Sequence, residues 1–434
     1  MKKFNPITTL LILFFWNCEK YTEDLNTDPN NFNNSAPELI VGQAQLGWMQ
    51  LAESNSARYA GIFMNQFTGS DRQYITLNGY SVTSGEFDDM WDDAFVDGIA
   101  QAQVTKVAAL ASENNKLAAV ALIAEAAIFG EMTALYGDIP FSEANNADEY
   151  YQPNYDSQAS VYVGIQDLLD DAISKIGDEP VSLYSGNRLS SNATWKQVAH
   201  SLKARYYLHT KDYSNALNQS RLGIQEDQDL IVLHGTSPEN RNLYYQFTVD
   251  EREGYLDANG SYLFQLLDPT DDVERLLATP GDVNRRAYYF TGTNLNVETD
   301  GVFGQTSSFP LISWIEVKLI EAEALQRTGN DSAAQTAFNE VRTKLSRTFN
   351  ADFPLTSSTG QNLLKEILEE KFISLIGQLE PFHDIRRTEN LLEIPPKTGS
   401  QIPQRFLYPQ VEIDNNPNTP DPVPGLFDQT PINN

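Results

Sequence analysis

Cysteine is almost absent: one residue in 434, Cys18. A single thiol excludes a disulfide framework and a thiolate metal centre. Positive charge is scarce as well, with 30 Lys and Arg against 59 Asp and Glu and a formal net charge of −29. Nucleic acid and anionic membrane surfaces would be repelled by such a chain. Beyond the first residues, no segment reads as apolar enough to cross a bilayer. Common catalytic patterns are missing too: no Gly-x-Ser-x-Gly elbow, no Gly-x-x-x-x-Gly-Lys phosphate loop, no His-Glu-x-x-His pair. His200, His209, His234 and His383 do not fall at a metal-ligand spacing, and no Asp-x-Asp-x-Asp-Gly calcium loop is present. The chain is therefore expected to carry no metal, no cofactor and no assembled catalytic set.

What is present begins with the position of that cysteine. Met1-Lys2-Lys3 is positive, Leu10 to Trp16 is unbroken apolar, and Cys18 follows. This is the order of a secretory signal ending at a cleavage site, and the run is far short of the roughly 20 residues of a membrane-spanning helix. Residues 1–17 read as a signal peptide and Cys18 as a lipid-acceptor thiol, which would anchor the protein to a membrane outside the cytoplasm. Residues 18–35, polar and rich in Asn and Asp, read as a lipidated tether, and residues 36–434 as a single domain.

Helical periodicity dominates that domain. Apolar residues three and four apart predict helices over Ala36–Ala52, Glu86–Ala111, Lys116–Leu135, Ser157–Ile176, Thr194–Thr210, Ser313–Arg327 and Gln361–Ile376, with Ser157 and Thr194 as N-caps. Ala204, Tyr207 and Ala216 recur in spacing as Ala322, Leu325 and Ala334, across turns at Lys211–Asn215 and Gly329–Ala333. Small residues at fixed offsets let two antiparallel helices approach closely, which is the mechanics of a tetratricopeptide-like pair. The matching positions Ala204 and Ala322 lie 118 residues apart, not a multiple of the roughly 34-residue period, so the array is interrupted. The fold class is mainly α: a helix-pair scaffold with a large irregular insertion carrying the ligand surface.

Helical periodicity fails at about residues 67–87 and 223–309, and long irregular stretches in a helical body are usually functional or disordered. Their density of rings argues against disorder. Asn78-Gly79 reads as a turn that could make a hairpin. Tyr74, Tyr80, Tyr255, Tyr262, Tyr288 and Tyr289 lie here, beside Asp71, Arg72, Gln73, Asn259 and Arg286. Ring faces offer sugar C–H surfaces somewhere to lie, and charged or amide groups hydrogen-bond vicinal hydroxyls. Asp71, Arg72 and the six tyrosines are the candidate ligand contacts. A competing reading is glycosidase chemistry by the acidic cluster Asp88, Asp89, Asp92, Asp93 and Asp97. Against it, adjacent acids on a helix point in different directions, and a helix's first turn favours carboxylates for its dipole alone.

Five stretches in order then resemble the SusD/RagB-like nutrient-binding outer-membrane lipoproteins of Bacteroidota, in particular their SusD-like subgroup. They are Cys18 with Asn26-Thr27-Asp28-Pro29-Asn30; Leu135 to Ala144 (LYGDIPFSEA); Glu316 with Ala322-Glu323-Ala324; Glu380 to Thr388 (EPFHDIRRT); and Ile402 to Pro409 (IPQRFLYP) with Glu412 and Asn415. Arg386, Arg387 and Asp384 in these stretches read as caps or internal pairs rather than ligand contacts. The resemblance implies a surface-exposed, lipid-anchored outer-membrane protein. It would capture an oligosaccharide or polysaccharide without chemistry and deliver it to a SusC-like TonB-dependent transporter. A peptide-binding lid of the same transporter type, a pure protein-binding scaffold and the glycan-cleaving enzyme remain alternatives.

Overall fold

The long helices are α1 (Pro37–Glu53), α2 (Asn55–Phe63), α3 (Ala100–Ala111), α4 (Asn115–Tyr136), α5 (Gln158–Ile176), α6 (Trp195–His209), α7 (Tyr213–Ser220), α8 (Trp314–Arg327), α9 (Asp331–Phe349), α10 (Gly360–Ser374) and α11 (Glu380–Arg387), of which α2 and α4 to α9 open on a side-chain cap. This computed structural model describes residues 36–434 apart from 185, 271–274, 276 and 277, so the expected signal, Cys18 and tether lie outside the described residues. Pro37–Asn434 forms one unit. Ser157 accepts from the Ser160 amide, and Thr194 forms a capping box with Gln197, as the sequence predicts for both caps.

The tetratricopeptide-like pairs are α6/α7 and α8/α9, with Ala204, Ala216, Ala322 and Ala334 fully buried at the close approaches. In sequence the array is interrupted; in space it is continuous. Helix α7 packs directly on α8, and Ala204, Leu208 and Ala216 share one apolar cluster with Ile320 and Ala324. The cause is a small antiparallel sheet that clamps both ends of the insertion. Strand β3 (Leu230–Val232) lies between β2 (Leu189–Ser190) and β7 (Phe309–Ile312), pairing Leu230 with Ile312 and Val232 with Phe309. The Trp314 amide then donates to Asp229 Oδ1 at 2.7 Å, starting α8 beside the strand that leaves α7.

Three sequence expectations are corrected. Residues 86–111 are not one regular helix: a short helix at Asp88–Asp92 runs through a wide π turn, Asp93–Ile99, before α3. That turn lies where Gly98 meets Gly47 of α1: a Cβ on Gly47 would collide with the Gly98 backbone, and one on Gly98 with the Ile128 side chain. Asn78-Gly79 makes no hairpin. It ends a short helix, Gln73–Asn78, and Tyr80 rather than Gly79 takes the left-handed conformation, at φ 54°. Helix α4 is in fact long and apolar enough to cross a bilayer, but its apolar length is entirely buried in the fold. It is the central core helix, packed by α1, α3, α5 and α6.

The last carbonyls of α4 join three of the family-like stretches, Leu135 to Ala144, Glu380 to Thr388 and Ile402 to Pro409. A helix C-terminus leaves its final carbonyls without intrahelical donors. Here Gln158 Nε2 reaches Thr133 O (2.7 Å), Arg386 Nη1 reaches Ala134 O (2.8 Å) and the Phe406 amide reaches Leu135 O (2.9 Å). Arg405 Nη2 bonds Tyr136 O, and Tyr408 Oη donates to Asp138 O at 2.7 Å. The Tyr136–Ile139 turn, the Arg386 helix and the Arg405–Tyr408 strand-like run are one clasp. Truncating Arg405 to Ala is expected to cost about 2–3 kcal/mol, read from urea unfolding, because it strips a charged donor from a buried carbonyl.

Candidate functional site

The two irregular stretches meet. Strand β1 (Thr68–Gly69) pairs antiparallel with β4 (Leu256–Asp257), Thr68 opposite Asp257, and the second stretch adds a further pair, β5 (Phe290–Thr291) with β6 (Asn294–Leu295). Ser70 Oγ donates to Asp257 Oδ2 at 2.6 Å and Thr68 Oγ1 to Asn259 O at 2.9 Å. Asn65 ties in a third segment: its amide donates to Pro395 O at 2.9 Å while its Oδ1 accepts the Tyr262 amide at 3.0 Å. Lys397 completes the junction, with Nζ on Thr68 Oγ1 at 2.9 Å and its backbone amide on Tyr80 Oη at 3.0 Å. Burial pulls the Lys397 ammonium down to about 8, only partly opposed by Asp257.

Of the candidate ligand contacts, four rings are core residues. Tyr74, Tyr80, Tyr255 and Tyr289 are all buried. Tyr74 packs against Phe247 (4.9 Å between centroids), Tyr59 and Tyr255, and its Oη accepts from Arg58 Nε at 3.1 Å. Tyr80 donates to Phe63 O at 3.2 Å. Loop position does not place a ring at the surface: these tyrosines are what fastens the irregular stretches to the helices. Tyr288 is 37% exposed and Tyr262 is half-buried. Asp71 and Arg72 stand out in solvent, the guanidinium 5.9 Å over the Tyr255 ring and 3.8 Å from the Asp71 carboxylate. Arg72 holds φ 44°, a left-handed conformation that non-glycine residues rarely adopt.

Next to this junction lies a concavity outside both irregular stretches singled out in the sequence. It has a volume of about 670 Å³, between the loop that follows α11 and the C-terminal residues. The loop is tightly coiled, with Glu389, Asn390 and Glu393 all at positive φ, and the Asn390 side chain bonds both the amide and the carbonyl of Ile394. The Gln404 amide donates to Leu426 O at 2.8 Å, joining the two walls. Phe427 lines the cavity, 42% exposed, with its ring edge-on to Tyr80 at 6.2 Å. Around it Ser400, Gln401 and Gln429 are exposed polar side chains. An accessible ring flanked by amides and a hydroxyl is the chemistry expected of the tyrosines, delivered by other residues.

A family model described as "Starch-binding associating with outer membrane", SusD-like_2, matches residues 29–409. The chain belongs to the SusD-like family. No curated protein matches it. Among solved structures it is similar to a SusD/RagB family protein from Bacteroides thetaiotaomicron, with 18% identity, TM-score 0.67 and coverage of 89% of this chain and 95% of that one. A SusD homolog from Bacteroides fragilis gives 18% identity, TM-score 0.68 and coverage of 92% and 99%. A chitin-binding SusD homolog from Flavobacterium johnsoniae gives 15%, 0.65, 92% and 97%. The mainly helical fold is common to all of them.

In this SusD-like chain the acidic cluster runs along the short helix Asp88–Asp92 and the π turn Asp93–Ile99, with Asp88 and Asp89 in the helix's first turn. Trp91 is buried and stacked on Phe95 at 4.7 Å, and Asp88 Oδ1 accepts the Val411 amide at 3.1 Å. Burial, with Asp97, Asp89 and Asp92 nearby, pushes the Asp93 carboxyl up to about 6. A raised carboxyl pKa stabilises below its unfolded value, and that contribution is lost as pH rises through the folded one. Asp93→Asn is therefore expected to raise stability by about 1 kcal/mol at neutral pH, after discount for solvent screening, and by nothing near pH 4. Thermal unfolding at the two pH values checks this. Deeper in the core, single ligand atoms of Glu131, Glu380 and His383 lie within 4.8 Å of one another, as metal ligands would. The cation beside them is a guanidinium: Arg205 lies 3.1 Å from Glu131 and 3.3 Å from Glu380, and His383 Nε2 is 3.0 Å from Glu131 Oε2.

Proposed function

We propose that this chain captures extracellular oligosaccharide or polysaccharide without breaking it and hands it to a partner SusC-like, TonB-dependent transporter in the outer membrane. The observation that carries glycan capture is the 670 Å³ cavity with the exposed Phe427 ring among Ser400, Gln401 and Gln429. A ring face packs against sugar C–H groups, and amides satisfy the hydroxyls that such packing would otherwise strand. The starch-binding description of the family and the chitin-binding description of the Flavobacterium relative support the same ligand class. Asp71, Arg72, Tyr262 and Tyr288 are proposed as additional contacts, since each keeps accessible surface, while Tyr74, Tyr80, Tyr255 and Tyr289 support them from within. Cys18 is the proposed lipid anchor, with the body exposed at the cell surface.

Capture rather than cleavage fits the placement of the acids, which lie along the short helix Asp88–Asp92 and the π turn after it, around the buried Trp91. Affinity electrophoresis against a panel of neutral polysaccharides, followed by assay of new reducing ends, tests both halves. Retardation by at least one glycan with no reducing-end release is the expected result. Retardation by none, with binding of peptides instead, would replace this reading with that of a peptide-binding lid. Sustained reducing-end release, abolished by Asp92→Asn, would make the protein an enzyme.

A further inference from the structure

The charges around the cavity are all of one sign. Glu389 and Asp428 line it, and among the described residues its lining includes neither lysine nor arginine. Yet four cations lie in or beside the wall of residues 389–404 in sequence, so their absence from the lining needs a structural cause. Arg386 is turned inward to Ala134 O and Gln404 O, Arg387 to Glu323 and Asp384, and Arg405 to Tyr136 O. Lys397, next to Pro396 of the lining, gives its ammonium to Thr68 Oγ1. Each of these four cations is committed to the clasp around α4, to the buried ion pairs or to the β1 junction. The carboxylates face the other way. Glu389 is exposed, and Asp428, also exposed, has one oxygen bonded to the Gly425 amide at 2.7 Å and the other left over.

We infer that this cavity sorts glycans by charge: it takes oligosaccharides bearing free amines, the hexosamine class, ahead of neutral ones, and turns away those bearing uronate or sulfate. The inference rests on the glycan-capture reading and names the class of sugar for the same cavity. Carboxylates are strong acceptors for sugar hydroxyls in any case, so neutral chains are still accommodated. An ammonium adds a charge-assisted bond, whereas an anionic sugar meets two uncompensated carboxylates on a chain of net charge −29. For solvent-exposed pairs each such interaction changes affinity by a few-fold, so two together give on the order of 10-fold in either direction at low salt.

A matched β-1,4 series separates charge from linkage: cellohexaose, the glucosamine hexamer and the glucuronic acid hexamer, titrated calorimetrically at about pH 6, where the amine carries its proton. The expected order is glucosamine tightest and glucuronate weakest, with about 10-fold between neighbours, narrowing as salt shortens the Debye length. In the double variant Glu389→Gln with Asp428→Asn, the glucosamine-to-glucose affinity ratio falls toward one. Equal affinities across the series, a tighter uronate, or a ratio unmoved in the variant would overturn the inference while leaving glycan capture standing. So would retention of another neutral glycan with no member of the series bound. Failure to bind any glycan at all would sink the capture reading itself.

Discussion

Replacing Arg205 with alanine is expected to cost about 3–5 kcal/mol, the range seen when one partner of a buried ion pair is removed. Its guanidinium is buried among three carboxylates: Glu316, held through both oxygens at 2.7 Å, Glu131 and Glu380. It also donates to Leu311 O at 2.7 Å, so it ties α6 to α4, α8, β7 and the start of α11. Without it, three buried acids lose their shared cation at once. Burial alone would push the Glu380 carboxyl up, but His209 and Arg205 outweigh that and hold it down at about 2. Glu370 is held at about 2 in the same way by Arg285 and Arg342. A depressed carboxyl stabilises above its unfolded value, so these contributions are lost as pH falls from about 4.5 toward 2. His383, pushed down by burial and by the neighbouring Arg386, resists protonation in the fold and begins to oppose folding below about pH 6.5. Urea unfolding of Arg205→Ala at neutral pH reads the loss directly. A change below about 1 kcal/mol would mean the network is not holding these helices together.

Phe427→Ala is expected to weaken glycan binding about 10-fold with little change in stability, the loss of one stacked ring. The contrasting variant is Tyr74→Ala. With its ring 2% exposed and enclosed by Tyr59, Phe247 and Tyr255, it is expected to cost about 3–5 kcal/mol of stability. At a temperature where both variants remain folded, Tyr74→Ala should bind nearly as the parent does. Calorimetric titration paired with thermal unfolding separates the two effects. The opposite pattern, with binding lost on changing Tyr74 and kept on changing Phe427, would return the site to the irregular stretches.

The two tyrosine and phenylalanine outcomes trace what a sequence can and cannot carry. Helices α5 and α6 were legible to the cap residue because periodicity and capping are local. So were the alanine spacings of α6/α7 and α8/α9. The contact between α7 and α8 was not, because it depends on Leu230 pairing with Ile312 across the whole insertion, and strand pairs of two to four residues leave no period to detect. Irregular sequence around Tyr74 and Tyr255 suggests a surface, but Arg58, with its guanidinium 4.1 Å over Phe247, shows how a loop can be packed as tightly as a helix. The cavity went unread since its walls come from residues 389–404 and 427–434, polar and proline-rich stretches without periodicity. One signal was there: Leu426-Phe427, a large apolar pair set among Pro, Asp and Gln near the end of the chain. Leu426 is buried and anchors the wall, and Phe427 is left facing out.

The most direct measurement is a crystal structure of the chain soaked with a glycan that retards it in affinity gels. The sugar is expected to lie intact against the Phe427 ring, with hydroxyls on Gln401 or Gln429 and no contact to the buried tyrosines. A sugar bound elsewhere with this cavity left open, or one found cleaved beside Asp92 and Asp93, would contradict the account.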